Sequence, residues 1–193
     1  MKAIEKLFEN LKKPFEKGGK LEKFYPVYDS LDTFAFVPDH TTTRGSHIRD
    51  AIDMKRTMFL VIVALVPALL FGIYNSGYQH YMALGIDASF GEMVLFGLGK
   101  VLPLIVVSYG VGLGIEFVFA IIKKSSIHEG FLVSGMLIPL IMPMDVPLWT
   151  VGLATAFAVV FAKEVFGGTG MNIINVALVA RAFLFFAYPT KMS

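Results

Sequence analysis

Between Ala162 and Pro189 an apolar run of membrane length, AKEVFGGTGMNIINVALVARAFLFFAYP, contains a glycine-rich break (Gly167, Gly168, Gly170), two amides (Asn172, Asn175) and a guanidinium (Arg181). An ionisable group inside a bilayer costs on the order of 3 kcal/mol unless it is paired or faces a cavity, so each such residue marks a candidate functional site. A backbone break at membrane depth is tolerated only where protein or a cavity surrounds it. Asn172 and Asn175 stand three apart at the expected start of a helix and would share one of its faces. The N–H groups of such a helix start suit a polar or anionic ligand. A capped helix start with an interhelical amide bond explains the same spacing. Arg181 could pair with Glu164 or Glu116 as a structural ion pair, or serve as a ligand or counter-ion. Glu116 could bind a cation or relay a proton, or simply hydrogen-bond a neighbouring helix. Lys163 and Glu164 are adjacent, are expected to face different ways, and are expected at the membrane interface.

Other chemistries lack their residues. The GGTG run has no following Lys-Ser/Thr and no preceding strand, so it is not a nucleotide-hydrolysing phosphate loop. His40, His47, His80 and His128 have no metal-ligand spacing, and no metal site is expected. With no cysteine, this sequence can form no disulfide and ligate no iron–sulfur cluster. No Ser–His–Asp or Cys–His nucleophile is evident. No feature indicates nucleic-acid binding, because topology explains the basic N-terminus.

The elements that must hold these groups are helices in a bilayer. The chain of 193 residues is 55% hydrophobic and 17% charged, with a mean hydropathy of +0.67, which is too apolar for an ordinary soluble domain. The expected architecture is all-α and integral to the membrane. Residues 1–56 form an N-terminal segment without the apolar core of a signal peptide. In it Ile4, Leu7, Phe8 and Leu11 mark an amphipathic helix over Ala3–Lys13 that lies on a membrane or partner surface. Residues 57–193 form the membrane domain, with helices expected at 57–74, 101–122, 130–142, 148–161 and 172–188. Pro67 should kink the first. Gly110, Gly112 and Gly114 should let another backbone approach the second. Residues 75–99 read as a polar loop followed by an interfacial stretch.

Of the 17 Lys and Arg residues, 11 precede residue 57. Lys55 and Arg56 before the first helix, and Lys123 and Lys124 after the second, put the N-terminus in the cytoplasm. Lys100 alone runs against that rule. Short helices and a broken chain are marks of transporter-like folds built from inverted repeats. An odd number of helices ending at Ser193 reads as half of such a fold.

Four stretches carry a more specific signal: Gly45–Arg56 (GSHIRDAIDMKR), Pro67–Gly77 (PALLFGIYNSG), Glu129–Trp149 (EGFLVSGMLIPLIMPMDVPLW) and Ala162–Pro189. Through them the chain, from about residue 18 onward, resembles the family that includes the B subunit of the sodium-translocating NADH:quinone oxidoreductase and, more distantly, the D subunit of the Rnf complex. The resemblance implies a protein of the bacterial inner membrane, about ten helices in two inverted halves, of which this would be the first. It implies electron transfer through covalent FMN and riboflavin to ubiquinone, coupled to Na⁺ export. The partners would be other membrane, flavoprotein and iron–sulfur subunits, ubiquinone, Na⁺ and lipid.

The family carries its FMN on the threonine of an S-G-A-T motif in the second half. This chain lacks the motif, and Thr169 is not that residue. Asn172 and Asn175 match the family's riboflavin-site N-x-x-N, and Ser134 stands where the family has a hydroxyl near the same flavin. Gly112 and Glu116 match a glycine and a glutamate bordering the quinone region, where Leu113 replaces the second glycine of a pair. Glu116 and Arg181 are the candidates for ion coupling. The family reads R-N-F-L-N-P where this chain reads Met171-Asn172-Ile173-Ile174-Asn175-Val176, so an arginine and a proline are lost. The N-terminal segment is expected to cover a cytoplasmic quinone entrance. On the residues alone, half of a non-redox transporter with a midplane polar site, or a scaffold for partner subunits, fits as well.

Overall fold

The computed structural model describes residues 54–123 and 130–192, with isolated positions at 14, 15, 21, 24, 25, 28, 32, 36, 44–46 and 48. The amphipathic helix expected over Ala3–Lys13 lies outside these residues. Among the described residues the fold is all-helical, as expected.

Two long helices, α1 (Met54–Leu84) and α2 (Phe90–Lys123), form a hairpin. Each is long and apolar enough to cross a membrane. Both exceed the expected 57–74 and 101–122, and the supposed 75–99 loop is mostly helix. The reason is local. Residues 75–84 contain no proline, and the Ser76 hydroxyl is satisfied by the Gly72 carbonyl at 2.6 Å. The helix ends only at Gly85, whose φ of 66° favours glycine. At the start of α2, Ser89 and Glu92 form a capping box: the Ser89 N–H donates to Glu92 Oε2 at 2.8 Å, and the Glu92 N–H reaches Ser89 Oγ at 3.4 Å.

The close backbone approach in this hairpin is at Gly77 and Gly97. A Cβ on Gly77 would lie 1.8 Å from the Met93 carbonyl oxygen, and one on Gly97 would lie 1.9 Å from that of Ile73. This corrects the expectation for α2. Gly110 and Gly114 face open space, and Gly112 meets the Phe131 ring rather than a backbone. Gly77 thus lies against the Met93 backbone and Gly97 against that of Ile73, one close approach from each helix, which glycine spacing within α2 does not reveal.

Two shorter helices pack on α2, α3 (Phe131–Ile141) and α4 (Leu148–Ala158); a third, α5 (Val176–Ala187), packs on those two and is followed by one turn, α6 (Pro189–Met192). α4 runs on as a π-helical segment, Val159–Glu164. Expected bounds of 130–142, 148–161 and 172–188 thus become shorter for α3, longer for the α4 segment and later for α5. The core lies where α2 to α5 meet, at Leu104, Phe131, Ile138, Val151, Val159, Ala180 and Leu184. α2 faces it with a stripe of Val101, Leu104, Ser108, Gly112, Glu116 and Ala120, the three- and four-residue spacing of one helix face.

Two ion pairs stand at opposite ends of this bundle. Lys100 meets Asp145 at 3.0 Å, and Lys123 meets Glu164 at 3.0 Å. At the α-helical rise, about 35 Å of α2 separates the two lysines, slightly more than the roughly 30 Å hydrocarbon core of a bilayer. Lys100, anomalous as a topology signal, therefore has its charge offset by an acid on the α3–α4 connection.

Candidate functional site

α3 is fastened to α2 by polar contacts that follow from its own sequence. Pro139 has no N–H to offer the Gly135 carbonyl one turn earlier. Ser108 of α2 supplies the missing donor, its hydroxyl reaching Gly135 O at 2.9 Å in a fully buried setting. One turn earlier in α3, the Leu132 carbonyl accepts from the Tyr109 hydroxyl at 2.6 Å. Beyond it, Phe131 fills the space that a side chain on Gly112 would take. Ser134 lies in this helix, half-buried, next to the clamped Gly135. Leu113 packs against the core beside Gly112.

Glu116, one turn past Gly112, forms an ion pair with Lys163, and each side chain is 3% exposed. The π-helical segment makes this possible. Its wider turn brings the consecutive Lys163 and Glu164 both onto α2, where Glu164 pairs with Lys123 two turns beyond Glu116. Lys123 Nζ also donates to the Glu164 carbonyl at 3.0 Å, and Lys163 Nζ lies 5.9 Å from the Phe131 ring centroid. Lys163 and Glu164 are therefore both buried against α2, rather than facing different ways as α-helical geometry led us to expect. π-Helical insertions of this kind occur frequently at functional sites.

The segment ends in a Schellman motif. The Gly168 N–H reaches Lys163 O at 3.0 Å, and the Gly167 N–H reaches Glu164 O at 3.3 Å, with Gly167 at φ 112°. The loop then packs Thr169 against Gly130 at the start of α3, where a Cβ would come 2.4 Å from Thr169 Cγ2.

Asn172 and Asn175 both precede α5 and do not share a helix face. Asn172 stays in the loop: its Oδ1 accepts from the Gly170 N–H at 3.2 Å, and its Nδ2 donates to Ile174 O at 3.3 Å. Asn175 is the N-cap of α5, its Oδ1 accepting from Ala177 N–H at 2.9 Å and Leu178 N–H at 3.2 Å. The capped-start alternative therefore describes Asn175. Among the described residues no interhelical amide bond is made by either residue, and neither bonds Ser134.

Arg181 is exposed on α5 and pairs with neither Glu164 nor Glu116, whose ion-pair partners are Lys123 and Lys163. The structure thus unites Gly112, Glu116 and the unforeseen Lys163 around Phe131. It leaves Asn172 and Asn175 on the following loop, and Arg181 on an outer face. Lys163 had one sequence signal, an ammonium after the apolar run Val159–Ala162, but only the π-helical geometry turns it inward.

Residues 41–193 match the NQR2, RnfD, RnfE family. The B subunit of the Na(+)-translocating NADH-quinone reductase of Yersinia pestis is 41% identical over 220 residues, covering 99% of this chain and 53% of that protein. Its counterpart from Stutzerimonas stutzeri is 41% identical over 214 residues, with the same coverage. The counterpart from Klebsiella pneumoniae is 41% identical over 220 residues, again across 99% of this chain and 53% of that protein. The chain spans about half the length of the curated relatives it matches.

Proposed function

This chain belongs to the NQR2, RnfD, RnfE family, and from that premise we propose that it acts in a membrane complex that oxidises NADH, reduces quinone and moves Na⁺. The observation that carries this reading is similarity to the reductase's B subunit along nearly the whole chain. In this reading α1 and α2 cross the bacterial inner membrane. The N-terminus lies in the cytoplasm with Lys123, and Lys100 and Asp145 mark the outer side. The partners are the other membrane, flavoprotein and iron–sulfur subunits of the complex.

The polar groups before α5 suit a riboflavin ring edge, which offers both donors and acceptors. Asn175 has its oxygen engaged by the helix start but keeps its amide hydrogens, so it would act as a donor. Asn172 is held only by two contacts longer than 3.1 Å within an accessible loop, and can exchange them for a ligand. Ser134 would add a hydroxyl from α3. A bound riboflavin would supply electron transfer, while these residues orient it. Covalent FMN would be held outside this sequence, which has no S-G-A-T motif.

For quinone, the proposed border is Gly112, Leu113 and Glu116. Phe131 occupies the open side of Gly112, so a quinone ring reaching that glycine has to take the place of the Phe131 ring. Glu116 is the buried carboxylate proposed for ion coupling. Arg181, exposed on α5, is the second candidate and would act toward a neighbour of that face.

The test uses bacterial membranes with and without this chain. NADH-driven quinone reduction stimulated by Na⁺, and Na⁺ uptake into inverted vesicles, should both disappear on deletion and return on complementation. Unchanged Na⁺ stimulation after deletion would reject the reading.

A further inference from the structure

Lys123, Glu164, Lys163 and Glu116 form a line of alternating charge leading from the surface into the protein. The Lys123 side chain is 41% exposed and that of Glu164 9%, while Lys163 and Glu116 are each at 3%. At the helical rise Glu116 lies roughly 10 Å along α2 from Lys123. A carboxylate at such depth requires a compensating positive charge. That charge can be a proton, a free monovalent cation or an ammonium group. Here it is the ammonium of Lys163, carried on a flexible stem from a π-helical segment. A second, weaker resting place, the face of Phe131, is 5.9 Å from the same nitrogen.

We propose that Lys163 is a tethered cation: it occupies Glu116 in this conformation and competes with a free alkali cation, sodium, for that carboxylate. The proposal rests on the reading of Glu116 as the ion-coupling group. Glu116 keeps one counter-charge throughout; the arriving cation adds one positive charge to the site, and the displaced ammonium moves to the face of Phe131. Glu164, held by the surface residue Lys123, is the acid that an incoming cation meets first. Lys163 is a positioning residue in this scheme, touching Glu116 and not the transferred electrons.

The test is thermal unfolding of the purified full chain in detergent, in sodium chloride and in choline chloride at equal ionic strength, at neutral and at mildly alkaline pH. The wild type should melt alike in both salts, because Lys163 already satisfies Glu116. K163M should melt roughly 3 °C or more higher in sodium. The neutral pair E116Q/K163M should lose that difference, and K163R should behave as wild type. If K163M folds only in sodium chloride, the proposal also stands. Equal melting of K163M in the two salts at both pH values overturns it, as does failure of K163M to fold in either salt. None of these readouts uses electron transfer. Failure of the pump reading would appear separately, as quinone reduction by the assembled wild-type complex that ignores sodium.

Discussion

Ser108 donates to the carbonyl of Gly135 across the α2–α3 interface at 2.9 Å, and that carbonyl lacks its helical partner because Pro139 stands four residues on. A proline inside a membrane helix is thus repaired by a hydroxyl from its neighbour, which fixes how α3 sits against Gly112 and Glu116.

Replacing Ser108 by Ala should destabilise the chain by about 1 kcal/mol, the scale of a buried interhelical hydrogen bond. P139A restores an N–H to the helix and should shrink the S108A penalty. A denaturation cycle on the two single variants and the double variant reads the coupling. Strict additivity would disprove this account of the carbonyl.

The α1–α2 hairpin depends on Gly77 and Gly97, where an added methyl would overlap a carbonyl oxygen. G97A and G77A should each cost about 3 kcal/mol, the upper range for overpacking. In contrast, G110A and G114A, which face open space, should be neutral or stabilising by up to roughly 1 kcal/mol. Melting temperatures of the four variants decide the matter, and G97A melting no lower than G110A would refute it.

Phe131 and Gly112 are complementary in the same way, the ring atom Cζ sitting 1.8 Å from a Cβ built on Gly112. G112A should therefore be strongly destabilising. F131A should cost roughly 4 kcal/mol as a fully buried aromatic is removed. The double variant should cost much less than the sum, because the new methyl enters space the ring has left. A denaturation cycle measures this, and additive losses would mean that the two sites do not share that space.

The two asparagines should separate stability from binding. N175A removes the cap of α5 and should lower stability by about 1 kcal/mol, while N175S keeps an acceptor and should recover most of it. N172A breaks only loop contacts and should leave the melting temperature nearly unchanged. If the riboflavin reading holds, both alanine variants lower the flavin-to-protein ratio seen in visible absorbance of the assembled complex. Full flavin retention in N172A would remove Asn172 from that site.

Much of this was open to a reader of the sequence. Apolar length alone sets α1 and α2 as membrane-length helices, because burying that much hydrocarbon leaves the backbone no partner but itself. Ser89 with Glu92 announces the true start of α2, and Gly85 the end of α1, since caps act within a few residues of chain. Gly167 and Gly168 likewise announce the Schellman stop, and Asn175 its own cap. By resemblance the sequence also singled out Gly112 and Glu116.

What the sequence could not contain was the partner of each buried group. Glu116 and Lys163 are 47 positions apart, and neither identity nor spacing chooses Lys163 over Arg181 as the counter-charge. The choice is made by the π-helical segment, which turns both Lys163 and Glu164 toward α2, and by the packing of α5, which turns Arg181 away. Local signals act through backbone sterics and hydrogen bonds a few residues apart. A buried ion pair depends on where two separate helices meet, and that is settled only when Phe131, Gly112 and the α2 stripe are packed together.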